Sequence, residues 1–338
     1  MRKIDAEART IRLIDSMFPA DRCRLSRPFE SDAEVVLVDD KQLLFTMDEF
    51  SAEDMLREDD PYSLGWNVAV GGISDILACA GKPCLYGHAM AVSKAWDEHY
   101  IQKFSQGVAD VLAQAGTAFM GGDFGKAAHW RYTAAVIGSP GRYPLGRKGA
   151  QVGDSIYISG RIGLGNVEAV LKLYADDGRL RLLAGMIRNR FPLRVQAAAF
   201  IGLYARCCID TSDGVFNALN TLADINGVGY EVADLPYIDA GVLGAAALSL
   251  PKELLFLGEA GEYELLFTVQ PADEGLFLSR ASQEGLTFFR IGKITAATKR
   301  LCDGQRRVDL GGLVARARDF DQRQDYLAAL VRYLKEQP

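Results

Sequence analysis

Residues 207–214 read Cys207-Cys208-Ile209-Asp210-Thr211-Ser212-Asp213-Gly214, and Val215-Phe216-Asn217-Ala218-Leu219-Asn220-Thr221-Leu222 follow directly. An apolar run that ends in acids and hydroxyls and then takes up a helical pattern predicts a buried strand, a tight turn and an amphipathic helix. Ser212 or Asp213 is placed to cap that helix, and Gly214 lets the backbone approach a ligand closely. Capping alone accounts for a serine and an aspartate at a helix start. It leaves Asp210 unexplained, because the apolar run carries that carboxylate into a partly buried place where an unpaired charge is costly.

Five other aspartates stand at the edges of apolar or glycine-rich stretches: Asp32, Asp48, Asp75, Asp123 and Asp213. Met120-Gly121-Gly122-Asp123 reads as a loop in which main-chain N–H groups meet phosphate and the acid holds metal; a plain turn is the alternative. Asp75 falls in a run, residues 64–80, that is apolar on nearly every helical face and so should be buried, with Gly71 and Gly72 serving a close backbone contact. Asp32 precedes one strand-like run and Asp48 ends the next, and Asp39-Asp40-Lys41-Gln42 between them predicts a hairpin. If these acids converge, two of them about 4 Å apart repel by roughly 4 kcal/mol at a protein surface, so the cluster needs cations. Magnesium is the natural one, a hard ion that bridges carboxylates to phosphates.

The order of these segments resembles the aminoimidazole ribonucleotide synthetase (PurM-like) superfamily, and within it the thiamine-monophosphate kinase family. The likeness runs from about Asp32 to Ile294 and includes the linking stretch Leu145-Gly146-Arg147-Lys148-Gly149, then Tyr263-Glu264-Leu265-Leu266-Phe267 and Ile291-Gly292-Lys293-Ile294. The resemblance implies ATP and Mg2+ as cofactors. Asp32, Thr46, Asp48, Asp75, Asp123, Asp210 and Asp213 would be the magnesium ligands, and Gly122, Asp123, Arg147 and Ser212 would line the nucleotide site. Asp210 and Asp123 are the candidate catalytic residues. It also implies a homodimer in which strands of two N-terminal domains form a β-barrel.

The chain departs from the family where an acceptor would bind. The family's Gly-Asp-Asp-Ala is Glu30-Ser31-Asp32-Ala33 here, its Thr-Thr-Asp is Thr46-Met47-Asp48, and a histidine that contacts thiamine phosphate falls at about Met55. Its Gly-Gly-Glu-Asp becomes Glu259-Ala260-Gly261-Glu262, which puts Gly261 in place of an acid, and an aromatic near its C-terminus has no clear counterpart in residues 316–338. The nucleotide half is kept and the acceptor half rewritten. We therefore expect ATP- and magnesium-dependent phosphoryl transfer to, or activation of, a small-molecule acceptor other than thiamine monophosphate. The alternatives are thiamine-monophosphate kinase itself and a nucleotide-binding regulatory protein without turnover.

Pattern and composition place this chemistry in a mixed α/β (α+β) chain. A helix over 6–17, strands at 84–92 and 130–137, and a helix over 100–114 precede a turn-rich connector near 140–147. Strands at 155–159, 229–232 and 263–269 and helices to 173, over 195–205, 241–248 and 322–335 follow it. The expected division is residues 1–140, an ATP- and metal-binding domain, and 147–338, a C-terminal α/β domain. A net charge of −6 with no basic aromatic-rich patch argues against nucleic acid. No apolar run spans a bilayer and the start lacks a signal-peptide core, so a cytoplasmic enzyme without membrane attachment is expected. The six cysteines show no zinc spacing, and the three histidines give no metal-binding pair.

Overall fold

The computed structural model describes residues 6–18, 22–174, 178, 184–185, 189–304 and 306–337. Its first part is an open sheet with two helices over one face. After helix α1 (Ala6–Ser16), strands β1 (Glu34–Val38) and β2 (Lys41–Ser51) form the expected hairpin. Asp39 and Asp40 both take positive φ (47° and 62°), the two-residue turn whose twist matches paired strands. Helix α2 (Pro61–Ala78), strand β3 (Lys82–Ser93), helix α3 (Glu98–Ala115) and strands β4 (Ala118–Ala127) and β5 (Arg131–Ser139) complete it. The strand order is β1-β2-β5-β3-β4, antiparallel except for β3 and β4, which are joined through α3.

The apolar run around Asp75 is indeed a buried helix. The close backbone contact, however, is at Gly65 rather than at Gly71 or Gly72. A Cβ on Gly65 would lie 1.9 Å from the Phe104 carbonyl oxygen, and one on Gly107 would lie 2.2 Å from that of Tyr62, so α2 and α3 meet backbone to backbone. Gly71 and Gly72 instead make room for the Phe50 ring and the Ala134 methyl. The Gly-Gly-Asp segment is also not a loop. It lies within β4, where Gly121 takes φ 93° and the register with β3 slips.

The second sheet is built from β6 (Ser155–Ile158), β7 (Ala205–Asp210), β8 (Gly229–Ala233), β9 (Leu265–Val269), β10 (Phe289–Thr295), β11 (Lys299–Asp303) and β12 (Arg306–Asp309), in the order β12-β11-β8-β10-β6-β9-β7. Helices α4 (Leu164–Leu173), α5 (Val195–Ile201), α6 (Val215–Asn226), α7 (Asp239–Ala247), α8 (Leu254–Leu257), α9 (Pro271–Gln283) and α10 (Arg323–Glu336) accompany it. The helix expected over 195–205 is shorter, because Ala205 already belongs to β7, and α9 was not anticipated. Strand β7 is the edge of this sheet, and α2 of the first part packs beside it. That contact positions the site.

On the first sheet, Phe45, Met47, Leu85, Phe119, Met120 and Phe124 are exposed large hydrophobics. Residues 23–26 pair with part of the outer edge of β1, β4 is the other edge strand, and no barrel closes among the described residues. No helix among the described residues is long and apolar enough to cross a membrane.

Candidate metal and nucleotide site

Asp210 is the last residue of β7 and is 3% exposed. Ser74 of α2 donates to one of its oxygens at 2.7 Å, and the Ser212 hydroxyl donates to the other at 3.0 Å. One position along α2, Asp75 accepts from the Thr46 hydroxyl of β2 at 2.5 Å. At the C-terminal end of the same helix, the Cys79 thiol contacts Ser31 and Ala33, the two neighbours of Asp32. One buried helix therefore gathers three carboxylates from segments far apart in sequence. Ligand oxygens of Asp32, Asp75 and Asp210 all lie within 4.8 Å of one another.

Burial and mutual repulsion mark this cluster electrostatically. Desolvation, then Asp210, Asp32 and Asp213, push the Asp48 carboxyl up to about 7. Asp210 is raised to about 6, first by burial and then by Asp32, with Ser74, Arg147 and Ser212 working the other way. Burial, Asp48, Asp210 and Asp32 raise Asp75 well above the usual carboxylate range. The Arg147 guanidinium reaches one oxygen of Asp32 through Nη2 at 2.7 Å and Nε at 3.1 Å. Its burial opposes the charge, but Asp32, Asp210 and Asp75 outweigh that and raise its pKa. The other oxygen of Asp32 is buried without a hydrogen-bond partner. A buried carboxylate oxygen left bare beside two further carboxylates is the donor set of a hard divalent cation, so the residues present fit magnesium.

The turn after Asp210 is clamped from across the sheet. Thr211 Oγ1 donates to the Glu264 carbonyl at 3.0 Å and accepts the Glu264 N–H at 2.9 Å, while Glu262 N–H donates to the Thr211 carbonyl at 2.9 Å. Tyr263 takes φ 52°, a rare conformation for a bulky residue. Its ring lies 4.8 Å from that of Phe191 and 6.4 Å from that of Phe50. Burial, then Asp48 and Asp210, raise its phenol well above the usual value and keep it neutral. Neither Ser212 nor Asp213 caps α6. Its N-cap is Gly214 at φ 81° with no side-chain cap, and Asp213 is exposed beside it. The first-turn N–H groups of α6 thus begin beside the acidic turn, an arrangement suited to phosphate.

Asp123 does not join the cluster within the chain. Asp48 pairs with Ala134, Ala134 with His88, and His88 with Gly122. Gly122 and Asp123 are therefore three strands from Asp48, about 14 Å at ordinary strand spacing, and both are exposed. Arg147, expected to meet nucleotide phosphate, is engaged with Asp32.

A cavity of 650 Å³ adjoins the acidic turn and is lined in part by Phe50, Met55, Ser212, Asp213, Gly261 and Tyr263. A Cβ on Gly261 would lie 2.6 Å from the Ser212 carbonyl oxygen and 2.8 Å from the Tyr263 ring, so this backbone has no room for the acid the resemblance would place there. Tyr326 of α10 also lines the cavity and donates its hydroxyl hydrogen to the Leu257 carbonyl at 3.2 Å. Sequence reasoning missed Ser74, Thr211 and Tyr326. Ser74 carried a signal, since it is a polar neighbour of Asp75 in an otherwise apolar helix.

The AIR synthase related protein N-terminal domain matches residues 30–139, and the AIR synthase related protein C-terminal domain matches residues 151–301. The chain belongs to the AIR synthase related protein family. It is 28% identical to a thiamine-monophosphate kinase of Halobacterium salinarum over 238 residues, 70% of this chain and 78% of the relative. A thiamine-monophosphate kinase of Escherichia coli K12 is 27% identical over 300 residues, 83% of this chain and 90% of the relative. The structure of AaThiL complexed with AMPPCP and TMP has a TM-score of 0.69 at 23% identity, covering 88% of this chain and 95% of that one. Escherichia coli HypE, a hydrogenase maturation protein, has a TM-score of 0.64 at 17% identity, over 90% and 96%. The AIR synthase related chain thus has the two-domain, mixed α/β PurM-like fold.

Proposed function

We propose that this AIR synthase related protein is an ATP- and magnesium-dependent enzyme that transfers a phosphoryl group to, or activates, a small-molecule acceptor. The observation that carries the reading is the convergence of Asp32, Asp75 and Asp210, with ligand oxygens within 4.8 Å of one another and one Asp32 oxygen buried without a partner. Asp32, Asp48, Asp75 and Asp210 would hold magnesium, with Asp213 and Thr46 at the margin of the set. Bound magnesium would neutralise the nucleotide phosphates and offset charge that develops during transfer. The chain's own residues do the positioning. Arg147 fixes Asp32, Ser74 and Ser212 fix Asp210, and Thr46 fixes Asp75, while the N-terminus of α6 offers N–H groups to phosphate. Phe50 and Tyr263 line the cavity beside the acidic turn, where they would exclude water from the reacting end.

Relatives named thiamine-monophosphate kinase favour that activity as the second reading. Met55 and the crowded Gly261 support a different acceptor. The measurement is ADP release from ATP with magnesium, with and without thiamine monophosphate. Asp210→Ala should abolish release in a folded protein, and unchanged release in that variant would end the proposal. Turnover of thiamine monophosphate at roughly 1–1000 per second, the ordinary enzymatic range, would end the part that concerns a different acceptor.

The apolar residues left exposed on the first sheet support a homodimer formed through that sheet. Asp123 could then act as a ligand only across the subunit boundary. Sedimentation of the protein as a monomer at micromolar concentration would remove both ideas.

A further inference from the structure

The 650 Å³ cavity has two unlike walls. One carries Ser212 and Asp213 of the acidic turn. Much of the other is α7, whose residues Asp239-Ala240-Gly241-Val242-Leu243-Gly244-Ala245-Ala246-Ala247 hold no charge after the first position. A helix apolar all round belongs in a core. Here Gly241 is its only buried residue, and Leu243 is 71% exposed. Val170 of α4, Leu254 and Leu255 of α8 and Leu330 of α10 continue the same apolar lining, while Glu53, Asp54, Asn166, Glu259, Arg318 and Arg323 line other parts of the cavity, away from α7 in sequence. The volume falls within the roughly 300–1000 Å³ of small-molecule pockets.

We infer that the acceptor has an extended apolar body, alkyl or aryl, which lies against α7 and directs its reactive oxygen toward Ser212 and Asp213. A sugar or another evenly polar acceptor would lose water along α7 and find few hydrogen-bonding groups there in exchange. An apolar body gains by covering the same surface. This deepens the proposed function and rests on it, because only the phosphoryl-transfer reading makes the Ser212 end the reacting end.

The test uses the neutral alcohols n-butanol to n-octanol, titrated calorimetrically into protein loaded with magnesium and a non-hydrolysable ATP analogue. Affinity should rise about fourfold per methylene over the series. Gly244 supplies the control. A Cβ there would meet nothing within 4 Å, and leucine is the better helix former, so Gly244→Leu should fold while filling the cavity. It should weaken octanol binding at least tenfold and leave nucleotide affinity unchanged. Ala247→Leu serves the same purpose from another position on α7.

Affinity that does not change with chain length, or octanol binding indifferent to both fillers in folded protein, would overturn the inference. Nucleotide binding without dependence on chain length would defeat the apolar acceptor alone. Absence of nucleotide binding in the same calorimeter would defeat the proposed function beneath it.

Discussion

The acidic wall and the apolar wall of this cleft are held in place in different ways. Around the carboxylates, each hydrogen-bond or ionic partner comes from a separate part of the chain: Ser74 from α2, Thr46 from β2, Ser212 from the turn after β7, and Arg147 from the connector. Asp210 is held by two of these groups, and Asp75 and Asp32 by one each, so a group that moves loosens the carboxylate it holds. The α7 wall is glycine- and alanine-rich and has a single buried residue. The contrast indicates where the molecule can change chemistry at low cost. Small apolar residues around an open volume can be exchanged one at a time, whereas the carboxylates must be kept or lost as a set.

Removing one member of that set should have the largest effect. Asp75→Asn keeps an acceptor for Thr46 but deletes a charge repelled by Asp48, Asp210 and Asp32. ADP release should fall about a thousandfold, the order seen when one electrostatic stabiliser is lost. The metal-free protein should at the same time gain about 1 kcal/mol or more in urea denaturation, because repulsion is relieved. A variant that lost both activity and metal-free stability would refute the idea that the acidic wall is assembled against its own charge.

Next in size is Arg147→Met. It strips Asp32 of its counter-charge and should cost about 3–5 kcal/mol in metal-free protein, the usual penalty for stranding one partner of a buried pair. Millimolar magnesium should restore much of the loss. An unchanged urea midpoint would show that Arg147 does not balance Asp32.

Acidity separates the two walls by a gentler route. Asp48 is raised from 3.8 to about 7 and Asp210 from 3.8 to about 6, so between those values the folded chain holds protons that the unfolded chain has released. Stability without metal is therefore fully supported below about pH 4 as far as these groups are concerned, and it declines as pH rises through 6 and 7. Melting between pH 5 and pH 8 should show that decline, roughly 5 °C or more, and magnesium should flatten it. A metal-free melting temperature that climbed over this range would contradict the assignment.

Much of the acidic wall was legible in the sequence because strand, turn and buried helix each leave a periodic trace that a carboxylate interrupts. Asp210 closing an apolar run and Asp75 inside a helix apolar on all faces were visible for that reason. The donors were less visible, because Ser74 and Thr46 are ordinary residues until the fold sets them opposite acids. The Met120-Gly121-Gly122-Asp123 segment was misread as a loop. Paired glycines usually mark turns, whereas here one of them accommodates a register slip inside an edge strand. The cap on α6 was misplaced for a related reason. Ser212 turns back to Asp210, and the helix starts on Gly214 instead. The apolar wall was hardest to read, since α7, α8 and α10 come together from separate segments and none of them carries a distinctive residue.

The smallest expected effect bears on the independence of the two walls. Met55 is half-buried and lines the cavity at the position where the resemblance places a histidine. Met55→His replaces a flexible apolar chain with a ring that carries two polar nitrogens. Octanol affinity should fall about fourfold, the order of one lost methylene contact. Affinity for the magnesium-bound nucleotide analogue should not move, because Met55 is not among the groups that hold the carboxylates. Sites that share no partner add their effects, and sites that share one do not. A tenfold change in nucleotide affinity would mean that the pocket wall and the carboxylate cluster move as one unit, and the freedom ascribed to the apolar side would then be lost.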